Sequence, residues 1–416
     1  MKRRWPLWGM ALGTALAACL SIPEKTDVLD LRLLAVRVDP PEILYSFLHT
    51  LPADQRAGLP LGPYPVTVQV LAVDPRGNRV DVSARLCPEQ TDDPCKGYII
   101  RNGTPDRQIE DVRPLVATRS VQRQADVSLG GELSVPSIPF VFSQHAVDYM
   151  LTQQGNSSTA ALGILFPQFP SFVVRVSLPD NSEQEVGFKR FSLAMDIRPD
   201  ALGPEAAPQL EALFTQVLGV PFCPPDTPLD ADEQCIRPRV ANRNPTLERL
   251  LYSTTGGGGF GFGGGGGGGG GGGPFGNGGV DGGEPEGPDD PTSEGTFIDV
   301  GPRLTVFPGS TVFLRPVVAA HDHEPYQEVA FDTQSGKALL TNVMEDMAYT
   351  WTSTMGDISG TTSDDGLPAS SGAADAALQV SLDVPYGPGY VWVVARDQRG
   401  GVDWRRLDFE VVPGGR

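Results

Sequence analysis

Residues 256–273 are almost pure glycine, interrupted only by Phe260 and Phe262, and an acidic Gly/Pro/Glu/Asp stretch continues to Glu294. No other feature limits the fold of this 416-residue chain so strongly. Glycine loses more backbone freedom on ordering than any other residue, and a segment without apolar side chains has no burial to offset that loss. The tract is therefore expected to be disordered, spanning roughly 35 Å root-mean-square as a flexible coil. Its G-x-G-x-x-G matches carry no nucleotide-binding meaning, because that motif needs a preceding strand and a following helix. The tract also divides the chain into two regions whose folds are read separately.

Both regions read as β. Asp30 to Val38 reads as a first strand, Leu31, Leu33 and Ala35 alternating with Arg32, Leu34 and Val36, and stops at Pro40-Pro41. Val66 to Val73 alternates Val66, Val68, Val70 and Ala72 against Thr67, Gln69, Leu71 and Val73, a strand buried mostly on the first face. Asp74-Pro75-Arg76-Gly77-Asn78 turns the chain into Val80–Val82. Phe172–Leu178 and Val186–Met195 flank Pro179-Asp180-Asn181-Ser182, the chemistry of a hairpin turn. One short helical candidate, Gln144 to Gln154, lies between them. After the tract, Thr311–Val318, Ala348–Ser353, Tyr390–Ala395 and Val402–Val412 read as strands, the last two joined by the turn Asp397-Gln398-Arg399-Gly400-Gly401. Strands with regular turns and few helices indicate a sandwich.

Between the β regions, Leu210, Leu213, Phe214, Val217 and Leu218 fall at the spacing of an amphipathic helix, with Gly219 placed to end it. The hairpins also echo each other. Phe188-Lys189-Arg190-Phe191-Ser192-Leu193 and Trp404-Arg405-Arg406-Leu407-Asp408-Phe409 both run aromatic, basic, basic, apolar, polar, apolar, which suggests two domains of one class.

At the amino terminus, Lys2, Arg3 and Arg4 precede an apolar stretch from Trp5 to Ala18. Charged start, short apolar core and small residues before a cut describe a secretory signal peptide. The stretch is shorter than the roughly 20 residues of a membrane span. Leu16-Ala17-Ala18-Cys19 resembles the lipobox of bacterial lipoproteins, which implies cleavage before Cys19 and lipid on its sulfur and new amino terminus. Each buried methylene contributes about 0.8 kcal/mol, so several acyl chains bind without measurable release. Leu20, in place of the aspartate that retains lipoproteins at the inner membrane, points to the outer membrane. Losing Lys2, Arg3 and Arg4 takes the formal net charge from −19 to −22. A basic patch for phosphates is absent from the sequence, so nucleic acid is not an expected partner.

With Cys19 lipidated, Cys87, Cys95, Cys223 and Cys235 remain. An even number in an exported chain suggests disulfides, with three connectivities open. The close pairs Cys87/Cys95 and Cys223/Cys235 are the economical choice, since Pro, Asp and Thr between them favour turns. Neither pair has C-x-x-C spacing or a nearby histidine, as a zinc site would.

Tyr349-Thr350-Trp351-Thr352-Ser353 with Gly356-Asp357, then Val391-Trp392-Val393-Val394-Ala395-Arg396-Asp397 and Arg399 to Trp404, resemble the C-terminal half of an immunoglobulin-like domain. In particular they are similar to a module of uncharacterised Gram-negative envelope lipoproteins, in which a segment like Asn242-Arg243-Asn244-Pro245 precedes the first strand. The resemblance covers roughly 242–412. It implies that Thr246–Tyr252 is that first strand and the glycine tract an insertion within the domain; composition alone reads the tract as a linker.

The expected fold is mainly β: two immunoglobulin-like β-sandwich domains joined by a short helical segment, with a disordered poly-Gly insertion. The expected division is a signal peptide at 1–18 and a lipidated tether at 19–27. An N-terminal β-sandwich domain at 28–199 and a helical and disulfide-loop connector at 200–240 follow. The C-terminal immunoglobulin-like domain takes 241–414, with the insertion at 256–295. For metals, His321-Asp322-His323-Glu324 is a weak cluster, with His49 and His145 the remaining histidines. Asp289-Asp290 and Asp364-Asp365-Gly366 lack the alternating spacing of a calcium loop. The sequence holds no G-x-S-x-G, H-E-x-x-H or G-K-[ST] motif, no cofactor is expected, and Trp392 and Trp404 are assigned to the core. The expected function is non-enzymatic: a lipoprotein held through Cys19 that serves as binding protein or adaptor for an envelope protein or polysaccharide. The alternative is a carbohydrate-processing enzyme or carbohydrate-binding accessory, which buried paired carboxylates in a cleft would favour.

Overall fold

The computed structural model describes residues 28–46, 63–76, 80–87, 116–121, 137–142, 167, 169–196, 208–209, 211–212, 215–216, 219–223, 235–237, 239–254, 297–323, 325–332, 337–360 and 376–414. The architecture is mainly β. Its first region contains β1 (Arg32–Asp39), β2 (Glu42–Ser46), β3 (Tyr64–Val73), β4 (Val80–Cys87), β5 (Val116–Val121), β6 (Ser137–Phe142), β7 (Ser171–Ser177), β8 (Gln184–Arg190) and β9 (Ser192–Asp196). They form a three-stranded sheet β1-β3-β6, a four-stranded sheet β5-β4-β7-β8 and a parallel pair β2-β9. Val66, Val68 and Val38 from the first sheet meet Val82, Phe172 and Val174 from the second, with Tyr45 and Leu193 from the pair, in one core. Phe172 holds its centre, 4.8 Å from Phe140 and 5.3 Å from Phe191 between ring centroids.

The second region contains β10 (Leu247–Ser253), β11 (Ile298–Asp299), β12 (Leu304–Val306), β13 (Thr311–Val318), β14 (Pro325–Asp332), β15 (Lys337–Met344), β16 (Met347–Ser353), β17 (Asp357–Gly360), β18 (Ala376–Gln379), β19 (Gly387–Asp397) and β20 (Val402–Val411). A five-stranded sheet β11-β10-β13-β18-β17 and a four-stranded sheet β12-β20-β19-β16 share a core. Leu250, Leu314 and Leu378 come from the first, and Trp351, Val391, Val393 and Phe409 from the second. β10 pairs with β13, so residues 255–296, outside the described set, connect two strands of one sheet. The β14–β15 hairpin stands apart, and its Leu340 packs on the core of the first region.

Several strands differ from the sequence reading for one reason: the two regions press on each other. In β1 the bulge between Leu33 and Ala35 sends Leu33, Val36 and Val38 to the first core while Leu34 and Ala35 face the second region. β3 is buried on one face only as far as Val70; Leu71 and Val73, read as the outer face, are both fully buried. These four side chains join Val28, Trp392, Val394 and Val402 in a third core between the regions, against which Trp404 packs. An apolar face toward a neighbour is as buried as one toward the strand's own core, which is why simple alternation failed here.

Asp74-Pro75-Arg76 leads the chain from the sheet of β3 into that of β4, with Arg76 N–H donating to Asp74 Oδ1 at 3.0 Å. Val186–Met195, read as one strand, breaks at Phe191: β8 pairs with β7, while β9 pairs with β2. Its echo, Trp404 to Phe409, runs unbroken in β20. Residues 208–209, 211–212 and 215–216 are helical, and Gly219, at φ 76°, donates its N–H to Thr215 O at 3.0 Å. The apolar stripe read there, and the candidate helix 144–154, lie outside the described residues.

Candidate functional site

The densest polar chemistry lies where the two regions meet, along the strap of residues 239–247. Glu42 on β2 has no exposed side-chain surface. Its Oε1 accepts from Ser192 Oγ at 2.8 Å and from Arg239 Nε at 2.7 Å. Its Oε2 accepts from the Asn242 N–H and from an Arg399 guanidinium nitrogen, both at 2.8 Å. Arg399 also donates to Val240 O at 2.6 Å and lies over the Tyr326 ring, 5.2 Å from its centroid. A carboxylate with two guanidiniums and two further donors has its charge and lone pairs answered, which burial demands.

The Asn-Arg-Asn-Pro segment does the same work with amides. Asn242 Nδ2 donates to both carboxylate oxygens of Asp397, at 3.2 and 3.1 Å. Asn244 spans the regions: Nδ2 donates to Val38 O at 2.9 Å and Oδ1 accepts from the Val402 N–H at 2.9 Å. Next along the strap, the Thr246 N–H donates to Asp322 Oδ2 at 2.6 Å and the Leu247 N–H to Asp403 Oδ2 at 2.8 Å. Arg37 of β1 closes the set on Asp403 Oδ1 at 2.9 Å. Gly401 is required by this closeness: a Cβ there would lie 2.0 Å from Asp397 Oδ2 and 2.7 Å from Arg243 O.

Burial and charge pull these carboxyls in different directions. Burial alone would raise Glu42, but Arg239, Arg399 and Ser192 together hold its pKa below the ordinary 4.5. Burial raises Asp397 despite the Gly401 N–H, Asn242, Lys189 and Arg399 around it. Asp403 is likewise raised by burial, against the Leu247 N–H and Arg37. Both oxygens of Glu42 and both of Asp397 are engaged by protein donors, so the arrangement is suited to holding two units in fixed register.

The other sequence-read residues are placed as follows. Cys223 and Cys235 form a disulfide with S–S 2.03 Å, and around it Phe222 bridges Ile236 while Cys223 N–H donates to Ile236 O at 2.9 Å. Gln327 of β14 reads this loop, donating to Cys235 O and accepting from Arg237 N–H, both at 3.0 Å. Cys87 ends β4, but Cys95 and the pair they were expected to make lie outside the described residues, as do Cys19, His49, His145, Phe260, Phe262, Asp289-Asp290 and Asp364-Asp365. His321 is exposed, 3.4 Å from Asp322 Oδ1, while His323 Nδ1 lies 3.3 Å from Glu345 O. The two imidazoles thus have different partners, and Asp322 caps the strap. Among the described residues no three His, Cys, Asp or Glu side chains gather as metal ligands.

The sequence reading missed Glu42, Arg239 and Asp397 as a connected set. A lone acid immediately before the apolar run Ile43-Leu44-Tyr45 was the available signal, but its partners Arg239 and Arg399 lie 197 and 357 residues along the chain. Elsewhere, a half-open depression of about 400 Å³ is lined by Tyr252, Ile298, Asp299 and Arg303.

No family model and no curated protein matches this chain. Among solved structures, a match is dimeric latent PorU from Porphyromonas gingivalis, at 8% identity and a TM-score of 0.17 over 94% of this chain and 24% of that one. The chain spans about a quarter of that protein's length, and so low a TM-score carries no argument.

Proposed function

We propose that this protein is a non-enzymatic envelope lipoprotein, held by lipid on Cys19, that presents two immunoglobulin-like β units as one rigid adaptor for an envelope protein or polysaccharide. The signal peptide and lipobox of residues 1–19 support the anchor, and Leu20 supports the outer membrane as its place. The observation that carries the adaptor reading is the strap: Glu42, Asn242, Asn244 and Asp397 tie the two units through buried hydrogen bonds. A rigid body suits a protein that holds a partner at a set position, since order established on folding is not paid again on binding. Val28, with its N–H 2.8 Å from Ser353 O, fixes where the tether meets that body. The carbohydrate-enzyme alternative would need carboxylate oxygens free to act on substrate, and those of Glu42 and Asp397 are taken.

Fractionation of cells expressing Cys19→Ser tests the anchor. The variant should leave the membrane fraction or stop being processed; partition into detergent equal to the parent would contradict the reading. Crosslinking in native membranes followed by pull-down then identifies the partner.

A further inference from the structure

At the end of the second unit remote from the strap, three large apolar side chains stand in solvent: Phe307 at 45%, Leu382 at 82% and Tyr386 at 63% exposure. They lie on two loops that the backbone ties together. The Gly309 N–H donates to Val380 O at 2.7 Å, and the Val380 N–H to Ser310 O at 2.9 Å. Leu382 leans over Gly309, so closely that a Cβ there would lie 2.9 Å from its Cδ2. Across the four-stranded sheet Gly387 pairs with Val411, and Val411 with Val306. Tyr386 and Phe307 therefore sit one residue beyond the same row, on strands two apart, about 10 Å from each other at the backbone. The two serine hydroxyls of these loops are bonded within them: Ser310 Oγ donates to Phe307 O at 2.6 Å, and Ser381 Oγ donates to the exposed Asp383. Single exposed apolar residues are ordinary, but a cluster on one tip marks a contact surface.

The chain reaches the described body from the same side. Val28 is fixed beside Ser353, which pairs with Val391, and Val391 is four residues along β19 from the Gly387 row, roughly 14 Å. From Val28 the chain runs away from the tip, as Arg37 of β1 meets Asp403 and Val38 meets Asn244 at the strap. Nine Cα steps separate Val28 from Cys19, a reach of up to about 30 Å. That reach exceeds the distance from Val28 to the tip, so a lipid on Cys19 and the tip side chains can occupy one plane. Leu29, 70% exposed, stands at this same end.

We propose that the Phe307, Leu382 and Tyr386 tip is the face this protein sets against the lipid bilayer. The proposal rests on the reading of Cys19 as the anchor. Aromatic and leucine side chains on an anchored body settle into the boundary between headgroups and acyl chains, about 5–10 Å deep. With a formal net charge of −22 once Lys2, Arg3 and Arg4 are removed, the chain has no general electrostatic attraction to anionic lipid, so apolar contact is what holds the tip down.

Tryptophan fluorescence with brominated lipid measures this directly. The protein carries a hexahistidine tag in place of residues 1–19 and is recruited to phosphatidylethanolamine/phosphatidylglycerol vesicles containing nickel-chelating lipid. Leu382→Trp is compared with its parent, whose own tryptophans supply the background. The added emission should lose most of its intensity when the acyl chains are brominated. Adding Phe307→Ser and Tyr386→Ser should restore it while the tag keeps the protein bound. Added emission unaffected by bromine on vesicle-bound protein would overturn the proposal and leave the tip as a protein-docking surface. The tag stands in for the lipid, so this result is independent of whether Cys19 is lipidated, which the Cys19→Ser fractionation decides.

Discussion

Glu42 shows how one residue can make a junction depend on pH. Removing one member of a buried, hydrogen-bonded ion pair costs about 3–5 kcal/mol, because the partner charges stay buried without it. Glu42→Gln keeps the shape and loses the charge facing Arg239 and Arg399, so a loss of this size is expected in urea unfolding. The pH profile adds a signature. Glu42 has a folded pKa below its ordinary 4.5, so its contribution is present above that value and is lost as pH falls through the folded pKa. Asp397 and Asp403 have folded values above 3.8, so they oppose folding as pH rises through their folded values and relieve it on acidification. The Glu42 contribution to parent stability should therefore be lost on the acid side, below 4.5, while the two aspartates work in the opposite sense. In Glu42→Gln the acid-side fall should flatten. An identical acid limb in both proteins would show that the Glu42 charge is not what the strap binds.

At the scale of elements, β19 and β20 were legible because their runs of β-branched and aromatic residues and the Asp397–Gly401 turn are local signals. Val391, Val393 and Ala395 face one core while Trp392 and Val394 face another. The same doubling hid the true burial of β1 and β3, because a strand's sequence does not say what lies on its second face. The break at Phe191 was illegible for a related reason. Ser192 Oγ bonds Glu42 and Ser192 N–H bonds Pro41 O at 3.0 Å, so a partner 150 residues away draws β9 out of its sheet. Trp392, 1% exposed, tests the core between the regions. Trp392→Ala should cost about 3–5 kcal/mol, the usual range for emptying an aromatic site. A loss below about 1 kcal/mol in urea unfolding would mean that the contact adds nothing beyond surface burial.

For the whole molecule, the Asn-Arg-Asn-Pro segment was noticed in the sequence as the start of a domain; its second role, joining that domain to the one before, needed the distant carboxylates. Cys223–Cys235 was legible from turn-rich spacing, and the β14–β15 hairpin that reads its loop was not, since Gln327 gives no sign of its partners. The central claim is that strap, third core and hairpin make the two β units a single cooperative body. Native-state hydrogen exchange in rising urea measures this by comparing two sets of core amides. Amides of β4 and β7, in the first unit, should converge on the same opening free energy and urea dependence as those of β19 and β20, in the second. If either set opens at lower free energy while the other stays protected, the units unfold independently, and the strap is a hinge rather than a clamp.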